Sequence, residues 1–450
     1  MSAHPADSRL FGHQWSTAES RALFDDEGRV QSWLDILATL AEAQADVGLV
    51  PHEAADIIRG HAHVELIDLD LVAAETRASG HSTMGLIRAL RAALPEAARE
   101  WVYYGATVQD VSDTWAAMTC RAIGEVMVRD VSAMRGLCAD LARRYRNTPM
   151  CGRTHGQPGL PITFGFKAAV WAAELDRHLV RLAQGRPRWE VAQLGGALGT
   201  MEFWGDGAVD LLAAFADRLH LTEPEIAWLT ARDRVAEFVC LLAATSATVA
   251  KIGNEVLQLQ RPEIGEVSEG FRPGTVGSIT MPHKRNPENA EQLVTLSRVV
   301  RAQAGLALEG IVSEHERDGR AWKTEWLLLP EACLAFSASC ALGVDMLQRL
   351  EIDAERMKTN LESHRGYLMS EPVLRALSDR LGKHTAHDVV YEASMSGRVA
   401  GQDFLTALRA DTRLDILSDD ELRGLLDVRG ALGCAGEFVD RVLIGLGGSR

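Results

Sequence analysis

One glycine-rich segment carries a serine, a lysine and an asparagine close together. It reads Gly274-Thr-Val-Gly-Ser-Ile-Thr-Met-Pro-His-Lys-Arg-Asn-Pro287. Glycines let successive backbone N–H groups converge on one point. Together with the ammonium group of Lys284, such N–H groups form an anion trap, which can lower the cost of ionising Ser278 or hold a carboxylate. An ordinary Gly/Pro-rich loop is the competing interpretation.

A second polar segment, Gly152-Arg-Thr-His-Gly-Gln-Pro158, predicts a short turn before a long helix. Histidine titrates near neutral pH, so His155 is a candidate general acid or base. A hydrogen-bonded structural histidine is the simpler interpretation. Thr154 and Gln157 flank it with neutral donors of the kind that hold carboxylates.

The segment Gly105-Ala-Thr-Val-Gln-Asp-Val-Ser-Asp-Thr114 stands at the start of another long helix. A cluster of side-chain donors at a helix N-terminus is a ready anion site. Thr107 is the first such donor. Ser112 and Asp113 are also typical N-cap residues, and capping is the expected role for these two.

Two more segments offer substrate contacts. His81 precedes a predicted helix, for which Ser82 or Thr83 is the expected N-cap. Arg317 and Arg320 lie in a charged and aromatic stretch between two long helices. Either guanidinium could hold a substrate carboxylate through two hydrogen bonds, although a solvated interhelical corner is the default interpretation.

The elements that must position these residues are long helices. The segment 113–146 has apolar residues at helical spacing and no proline, and about 34 residues at 1.5 Å each give a helix roughly 50 Å long. Comparable segments cover about 162–188, 230–260, 286–315 and 324–350. The alanine-rich run 242–250 indicates burial on several faces, which in a single bundle implies association with other subunits.

The coarse prediction is an all-α protein in three parts. Residues 1–104 contain shorter helices, including ones over about 29–47 and 82–94. Residues 105–350 form the long-helix bundle, and residues 351–450 return to short helices joined by Gly- and Asp-containing turns. No β-α-β alternation and no internal repeat are found.

Composition excludes several classes of function. A formal charge of −15 argues against a nucleic-acid-binding protein, which needs a basic surface. There is no apolar run of 18 residues and no signal peptide at the start, so no membrane association is expected. The seven cysteines are odd in number and lack Cys-x-x-Cys, which indicates reduced thiols in a cytoplasmic protein.

Three motifs in this order resemble the fumarase/aspartase superfamily. They are Gly-Ala-Thr-x-Gln-Asp at 105–110, Gly-Arg-Thr-His-x-Gln at 152–157, and Gly-Ser-x-x-Met-Pro-x-Lys-x-Asn-Pro at 277–287. The resemblance implies a homotetramer with a twenty-helix core, whose active sites are each built from three subunits. It also implies a small dicarboxylate substrate, no cofactor and no metal.

The same resemblance assigns chemical roles. Ser278 would take a proton from the carbon next to a carboxylate, giving an aci-carboxylate carbanion. His155 would assist or protonate the group that leaves the adjacent carbon. The residues that would bind the substrate carboxylates are Lys284, Asn286, Thr107, Gln109 and Thr154.

Departures from the family pattern bear on the substrate. Gly80 stands where adenylosuccinate lyases usually have an arginine, and Trp326 replaces the arginine that holds the nucleotide phosphate. A tryptophan cannot pair with a phosphate. The run Ala-Trp-x-x-Glu-Trp at 321–326 and the segment 16–24 look closest to 3-carboxy-cis,cis-muconate cycloisomerases, although His81-Ser82 and Val108 depart from that branch.

The favoured hypothesis is a lyase that cleaves the C–N bond of a small substituted succinate, for example nitrosuccinate, and releases fumarate. A 3-carboxy-cis,cis-muconate cycloisomerase is the first alternative and an adenylosuccinate lyase the second. A non-catalytic relative of the lens crystallins is the alternative from another class. The intact set of Ser278, Lys284, Asn286 and His155 argues against the crystallin-like alternative.

Overall fold

Helices dominate the structure, a computed structural model that describes residues 4–271 and 274–447. The first helices are α1 (Gly12–Trp15), α2 (Ala18–Arg21), α3 (Asp26–Asp46), α4 (His52–His61), α5 (Leu69–Ser79), α6 (Met84–Ala93), α7 (Glu96–Arg99), α8 (Val108–Arg144), α9 (Phe164–Trp189) and α10 (Ala208–Arg218). The later ones are α11 (Asp233–Gln260), α12 (Glu288–Glu309), α13 (Gly319–Gln348), α14 (Ala354–Ser363), α15 (Ser370–Leu381), α16 (Lys383–Val399), α17 (Phe404–Arg409), α18 (Asp419–Leu425) and α19 (Ala435–Gly447). The predicted all-α class is therefore confirmed.

The strands of the described residues form two small antiparallel ladders. Strands β1 (Pro149–Thr154) and β2 (Gln157–Thr163) make a hairpin, and β3 (Val267–Ser268) pairs with β4 (Glu351–Ile352). Short 3-10 helices cover Pro5–Asp7, Val64–Leu66, Glu202–Gly207, Tyr367–Met369, Thr412–Leu414 and Val428–Ala431. The hairpin was expected only as a polar turn, because its prolines and glycines hide the strand pattern.

The five long helices predicted from periodicity are α8, α9, α11, α12 and α13. Helix α8 spans 37 residues, begins directly after Thr107 and ends ahead of Pro149. Its start lies five residues before the expected one, so the expectation that Ser112 and Asp113 cap it was wrong. Both lie inside the helix and are buried. The aspartate that acts at this helix end is Asp110, in the first turn.

The chain divides into two compact units. Unit 1 comprises residues 1–130, 178–250 and 292–342, and unit 2 comprises residues 131–177, 251–291 and 343–450. In unit 1, α3 packs against α4 and α10, and α5 packs against α6. The three-part division at residues 104 and 350 stays a prediction.

Unit 2 contains the β1–β2 hairpin and a separate apolar cluster. Helix α16 packs against α15 and α17. The cluster there is buried and comprises Val373, Leu377, Ala386, Val389, Val390, Ala393, Phe404, Leu408, Leu414, Leu417 and Leu422. The hairpin rests on α14 through Cys151, which shares a buried cluster with Leu361, Leu368 and Met369.

Two helices are long and apolar enough to cross a membrane by length and composition. They are α11, whose apolar window is 72% buried, and α13, whose window is 67% buried. Helices buried to this extent are typical of the interior of a globular protein. The seven cysteines are all free thiols.

Candidate active site

The Ser278 loop (residues 274–287) joins β3 to α12 in unit 2. A Cβ on Gly277 would lie 2.4 Å from the carbonyl oxygen of Lys284, so only glycine permits this backbone approach. Asn286 Nδ2 also donates to the Gly277 carbonyl at 2.8 Å. The residues predicted to act as base and carboxylate ligands therefore sit on one closed loop.

Ser278 is half-buried at the start of this closed loop. Its Oγ accepts the backbone N–H of Met281 at 3.0 Å. A hydrogen bond donated to this oxygen favours the alkoxide, which is the form a base needs. The Lys284 side chain is exposed, and its backbone N–H donates to the Met281 carbonyl at 2.9 Å.

Both ends of the Ser278 loop are held by Glu269. Its carboxylate accepts the backbone N–H groups of Asn289 at 3.2 Å and Ala290 at 2.6 Å, at the start of α12. Glu269 itself directly follows β3, so its side chain connects the segment before the Ser278 loop to the helix after it. Burial raises the pKa of Glu269, and the two N–H donors oppose that shift.

His155 occupies the tip of the β1–β2 hairpin. Thr154 pairs with Gln157, which leaves His155 and Gly156 as a two-residue loop with φ of 54° and 75°. Positive φ at both loop residues is the pattern of type I′ hairpins. The side chains of Thr154, His155 and Gln157 are exposed at this tip, as a ligand-binding role requires.

In unit 1, Thr107 lies in a polar cluster with Arg317. Arg317 Nη1 donates to Thr107 Oγ1 at 2.9 Å, and Nη2 donates to the Ala197 carbonyl at 2.9 Å. The Nε of Arg317 is buried and has no hydrogen-bond partner among the residues that the structure describes. The predicted donors Thr107 and Arg317 are therefore neighbours in space.

Tyr103 completes this cluster and was missed from the sequence. Its phenol interacts with the hydroxyl groups of Thr83 and Thr107, and its φ of 61° is unusual for a bulky residue. Burial, and after it the charge of Asp110, raise the pKa of Tyr103. The available signal was its position, two residues before the motif at 105–110.

His81 and Ser82 lie at the edge of the same cluster. His81 is exposed and Ser82 half-buried. The Nδ1 of His81 is 3.3 Å from Thr83 Oγ1. Thr83 occupies the N-cap position of α6 but makes no side-chain capping bond, so that part of the expectation was wrong. Its hydroxyl instead links His81 to Tyr103.

Asp110 joins the start of α8 to the glycine segment 195–199. The carboxylate accepts the backbone N–H groups of Thr107 at 2.9 Å, Gly195 at 2.7 Å and Gly196 at 3.1 Å. Burial raises the pKa of Asp110 to about 6, although these hydrogen bonds oppose the shift. The glycine segment therefore binds a protein carboxylate.

Gln109 lies in the interior, fully buried. Its Nε2 donates to the Leu229 carbonyl at 2.7 Å and to Asp113 at 3.0 Å. Asp113 belongs to a buried ionic cluster in which Arg232 donates to Asp113 at 2.7 Å and to Glu325 at 2.8 Å. In this arrangement Gln109 supports the first turn of α8, which directly follows Thr107, and its predicted substrate contact stays a prediction.

Arg320 is exposed and already paired. Its Nε and Nη2 donate to Asp318 at 3.0 and 2.7 Å, and Nη2 lies 3.0 Å from Glu314. These hydrogen bonds hold the pKa of Asp318 below its usual range. A substrate carboxylate would have to displace these partners, so the role predicted for Arg320 remains a prediction.

Trp326 stands edge-on against Trp322, with ring centroids 4.9 Å apart. Trp322 Nε1 donates to Ser112 Oγ at 3.0 Å, which uses the hydroxyl that was expected to cap α8. Trp326, which stands at the position predicted to bind a phosphate in nucleotide-cleaving relatives, is thus part of an aromatic pair.

The predicted site residues fall into two groups. Unit 2 carries Ser278, Lys284, Asn286, Thr154, His155 and Gln157. Unit 1 carries His81, Ser82, Thr107, Gln109, Arg317 and Arg320. Within unit 1, Arg317 contacts Thr107 directly. Tyr103 and Thr83 connect Thr107 to His81.

Comparison with known proteins covers almost the whole chain. A family model described as lyase matches residues 13–302, and one described as adenylosuccinate lyase C-terminus matches residues 366–442. The N-acetyl-S-(2-succino)cysteine lyase of Dickeya dadantii is 37% identical over 98% of both chains. The 3-carboxy-cis,cis-muconate cycloisomerase of Pseudomonas aeruginosa is 36% identical over 98% of this chain and 97% of its own.

A solved structure agrees with this similarity. The crystal structure of the 3-carboxy-cis,cis-muconate lactonizing enzyme from Pseudomonas putida matches with a TM-score of 0.90 and 33% identity, covering 98% of this chain and 99% of the other. Sequence and fold similarity thus extend over the same residues as the three motifs. The chain belongs to the fumarase/aspartase superfamily of lyases.

Proposed function

We propose that this chain cleaves the C–S bond of a small S-(2-succinyl) thioether and releases fumarate and a thiol. The observation that carries the proposal is the 37% identity, over 98% of both chains, with a lyase named for such a thioether. The Ser278 loop supports the proton-abstraction step, because it gathers the serine, the lysine and the asparagine on one closed segment.

The proposed reaction begins at the methylene carbon of the succinyl group. Ser278 removes one proton there, and the electron pair moves toward the adjacent carboxylate, which Lys284 and Asn286 bind. Expulsion of the sulfur from the neighbouring carbon then forms the double bond of fumarate. Aimed donors are most effective where charge develops, and losing one typically costs about 3 kcal/mol of barrier.

The second carboxylate of the substrate is assigned to the cluster around Thr107. Arg317 supplies a guanidinium at 2.9 Å from Thr107 Oγ1, and Tyr103 supplies a hydroxyl. The guanidinium of Arg317 and the hydroxyls of Thr107 and Tyr103 are hydrogen-bond donors that can pair with the two acceptor oxygens of a carboxylate. His155 is assigned to protonate the departing thiolate, since its side chain is exposed at the hairpin tip.

C–N cleavage, the hypothesis favoured from the sequence, shares every step except the identity of the leaving group. Ring closure on carboxymuconate is the second candidate, and the 36% identity with a 3-carboxy-cis,cis-muconate cycloisomerase over 98% of this chain favours it. Adenylosuccinate is disfavoured, because Trp326 packs edge-on against Trp322 where a phosphate anchor would be required.

A substrate panel tests the proposal. Purified enzyme is incubated with N-acetyl-S-(2-succino)cysteine, nitrosuccinate, aspartate, adenylosuccinate and 3-carboxy-cis,cis-muconate, and fumarate or loss of the diene is followed by ultraviolet absorbance. We expect kcat/KM to be highest for the thioether, with a free thiol formed in equal amount to fumarate. Faster cleavage of nitrosuccinate or consumption of carboxymuconate would replace the proposal with the corresponding alternative.

The serine provides the control for this panel. Ser278→Ala removes the proposed base and the hydrogen bond from the Met281 N–H, and it keeps the Asn286–Gly277 contact that closes the loop. Turnover should be abolished and fumarate should still bind. Near-normal turnover would show that another group takes the proton.

A further inference from the structure

Glu266 is fully buried, and both oxygens of its carboxylate accept hydrogen bonds. Arg153 Nη1 and Nη2 donate to its two oxygens at 2.8 and 2.7 Å, and Asn360 Nδ2 donates to one of them at 2.8 Å. Bidentate arginine–carboxylate pairs are among the strongest and most directional hydrogen-bonded contacts in proteins. Arg153 is therefore held in one orientation.

The main chain of Glu266 is fixed as well. Its N–H donates to the Leu259 carbonyl at 3.0 Å, and its carbonyl accepts the N–H of Asp353 at 3.0 Å. The next residue, Val267, pairs with Ile352 in the β3–β4 ladder. The carboxylate thus projects from a backbone that is anchored on both sides.

The hairpin that carries His155 is weakly held by its own backbone near the tip. Arg153 lies opposite Pro158, and Cys151 lies opposite Pro161. A proline has no N–H to donate to the ladder. The register also shifts between Cys151 and Arg153, and such bulges re-aim the side chains beside them. A side-chain contact at Arg153 therefore contributes more to the position of the tip than the same contact would in a regular hairpin.

We propose that Glu266 is a positioning residue, which acts through Arg153 to hold Thr154 and His155 in the orientation needed to protonate the leaving group. Arg153 directly precedes these two tip residues, so the orientation in which Arg153 is held determines the position from which the tip residues extend. Glu266 itself is fully buried, and Arg153 and Asn360 occupy its carboxylate oxygens, so a contact with substrate is not part of the proposal. The inference rests on the proposed role of His155 in the elimination.

The test compares Glu266→Gln with the wild type on two thioethers of succinate. One releases the alkyl thiol N-acetylcysteine, and the other releases an aryl thiol of much lower pKa, which leaves without help from an acid. Small misplacements of a catalytic group can cost about 10²-fold in rate. We therefore expect kcat for the alkyl thioether to fall by about 10²-fold, with the aryl thioether cleaved near the wild-type rate and KM little changed.

A second bidentate pair in unit 2 supplies the control. Arg146 Nε and Nη2 donate to Asp440 at 2.8 and 2.6 Å, in a contact that lies away from the hairpin tip and is more exposed than the Arg153–Glu266 pair. Asp440→Asn should leave both rates unchanged. If Glu266→Gln slows both thioethers equally, or neither, the proposed positioning role is overturned and Glu266 is a structural residue.

A double-mutant cycle with His155→Asn separates this inference from the proposed function. Asparagine tolerates the positive φ of 54° at this position. If Glu266 acts through His155, adding Glu266→Gln to His155→Asn causes no further loss on whichever substrate the panel identifies. Additive losses contradict the inference, whereas a wild type inactive on both thioethers contradicts the proposed function alone. If Glu266→Gln does not fold, Arg153→Lys keeps the charge, loses the bidentate contact and should give the same pattern.

Discussion

Thr107 is held by three neighbours that fix both its backbone and its side chain. Its N–H donates to Asp110 at 2.9 Å, its Oγ1 accepts from Arg317 at 2.9 Å, and the phenol of Tyr103 interacts with its side chain. Each neighbour removes rotamer freedom that a substrate would otherwise have to restrict on binding. At the scale of single residues, the cluster is therefore organised before any ligand arrives.

Removing the Tyr103 hydroxyl tests this organisation. Tyr103→Phe keeps the ring and the backbone but deletes the interactions of the hydroxyl with Thr83 and Thr107. A typical net hydrogen bond is worth about 0.5–1.5 kcal/mol, so kcat/KM should fall roughly 2- to 10-fold, mainly through KM. Steady-state kinetics measure the change.

The neighbouring tyrosine is the control for this variant. Tyr104 packs edge-on against Trp101 and Phe203, and its contacts to Gln44 and Trp204 use the backbone carbonyl. Tyr104→Phe makes the same chemical change and should leave kcat/KM as in the wild type. If the two substitutions have equal effects, the cause is a loss of packing and not the loss of the interaction between the Tyr103 hydroxyl and Thr107.

At the scale of elements, carboxylates join segments that belong to different parts of the sequence. Asp110 ties the first turn of α8 to the segment at Gly195, 85 residues away. Glu269 ties the end of β3 to the start of α12 and so closes the roots of the Ser278 loop. These contacts satisfy backbone N–H groups at helix ends or in turns, which otherwise lack partners.

The Asp110 contact predicts a pH dependence of stability. Burial raises its pKa to about 6, above the value of about 3.9 expected in the unfolded chain. The folded state then binds the proton more tightly, so the stability contributed by this group is complete below about pH 4 and declines as the pH rises through 6. As the pH falls from 7 to 5, the wild type should gain about 1 kcal/mol relative to Asp110→Asn.

Denaturant unfolding of both proteins at the two pH values measures this difference. The substitution also disturbs the contacts to Gly196 and Thr107, but that cost does not depend on pH and cancels in the comparison. A wild-type-minus-variant difference that is constant from pH 7 to 5 would mean that Asp110 does not titrate in this range.

At the scale of the whole molecule, the candidate site residues are divided between two units of one chain. The resemblance to the superfamily implies that each site combines segments of three subunits in a homotetramer. Exposed apolar side chains on the long helices support this proposal, including Leu308 at 52%, Leu327 at 62% and Val170 at 46% exposure. Large apolar side chains exposed on helices are a common feature of subunit interfaces.

Mixing two inactive variants tests whether sites are shared. If one site takes His155 and Ser278 from different subunits, His155→Asn and Ser278→Ala subunits unfolded and refolded together at equal ratio should recover about a quarter of the wild-type activity, from random assembly. Each variant refolded alone should stay inactive. Activity in the mixture no higher than in the separate variants would place both residues of a site on one chain, and light scattering would report the oligomeric state.

The fold was largely predictable, and the roles assigned to the candidate site residues stay predictions. The ends of the long helices lie within six residues of the predicted ones, because apolar periodicity is a local property. The largest differences are the end of α12 at Glu309 and the starts of α8 at Val108 and α13 at Gly319. Strand β1 was not predicted, because glycine and prolines in the hairpin obscure its alternation. Tyr103 was missed because its role depends on Thr83, twenty positions earlier in the chain.

The sequence by itself determined the superfamily, the all-α class and the motif residues Ser278, Lys284 and His155, since these depend on neighbouring residues and short spacings. Only the tertiary structure decided which side chains hold them. Arg153 meets Glu266 across 113 residues, and Arg317 meets Thr107 across 210. Such pairings depend on how distant segments pack and on which charges become buried together, and no local pattern encodes that choice.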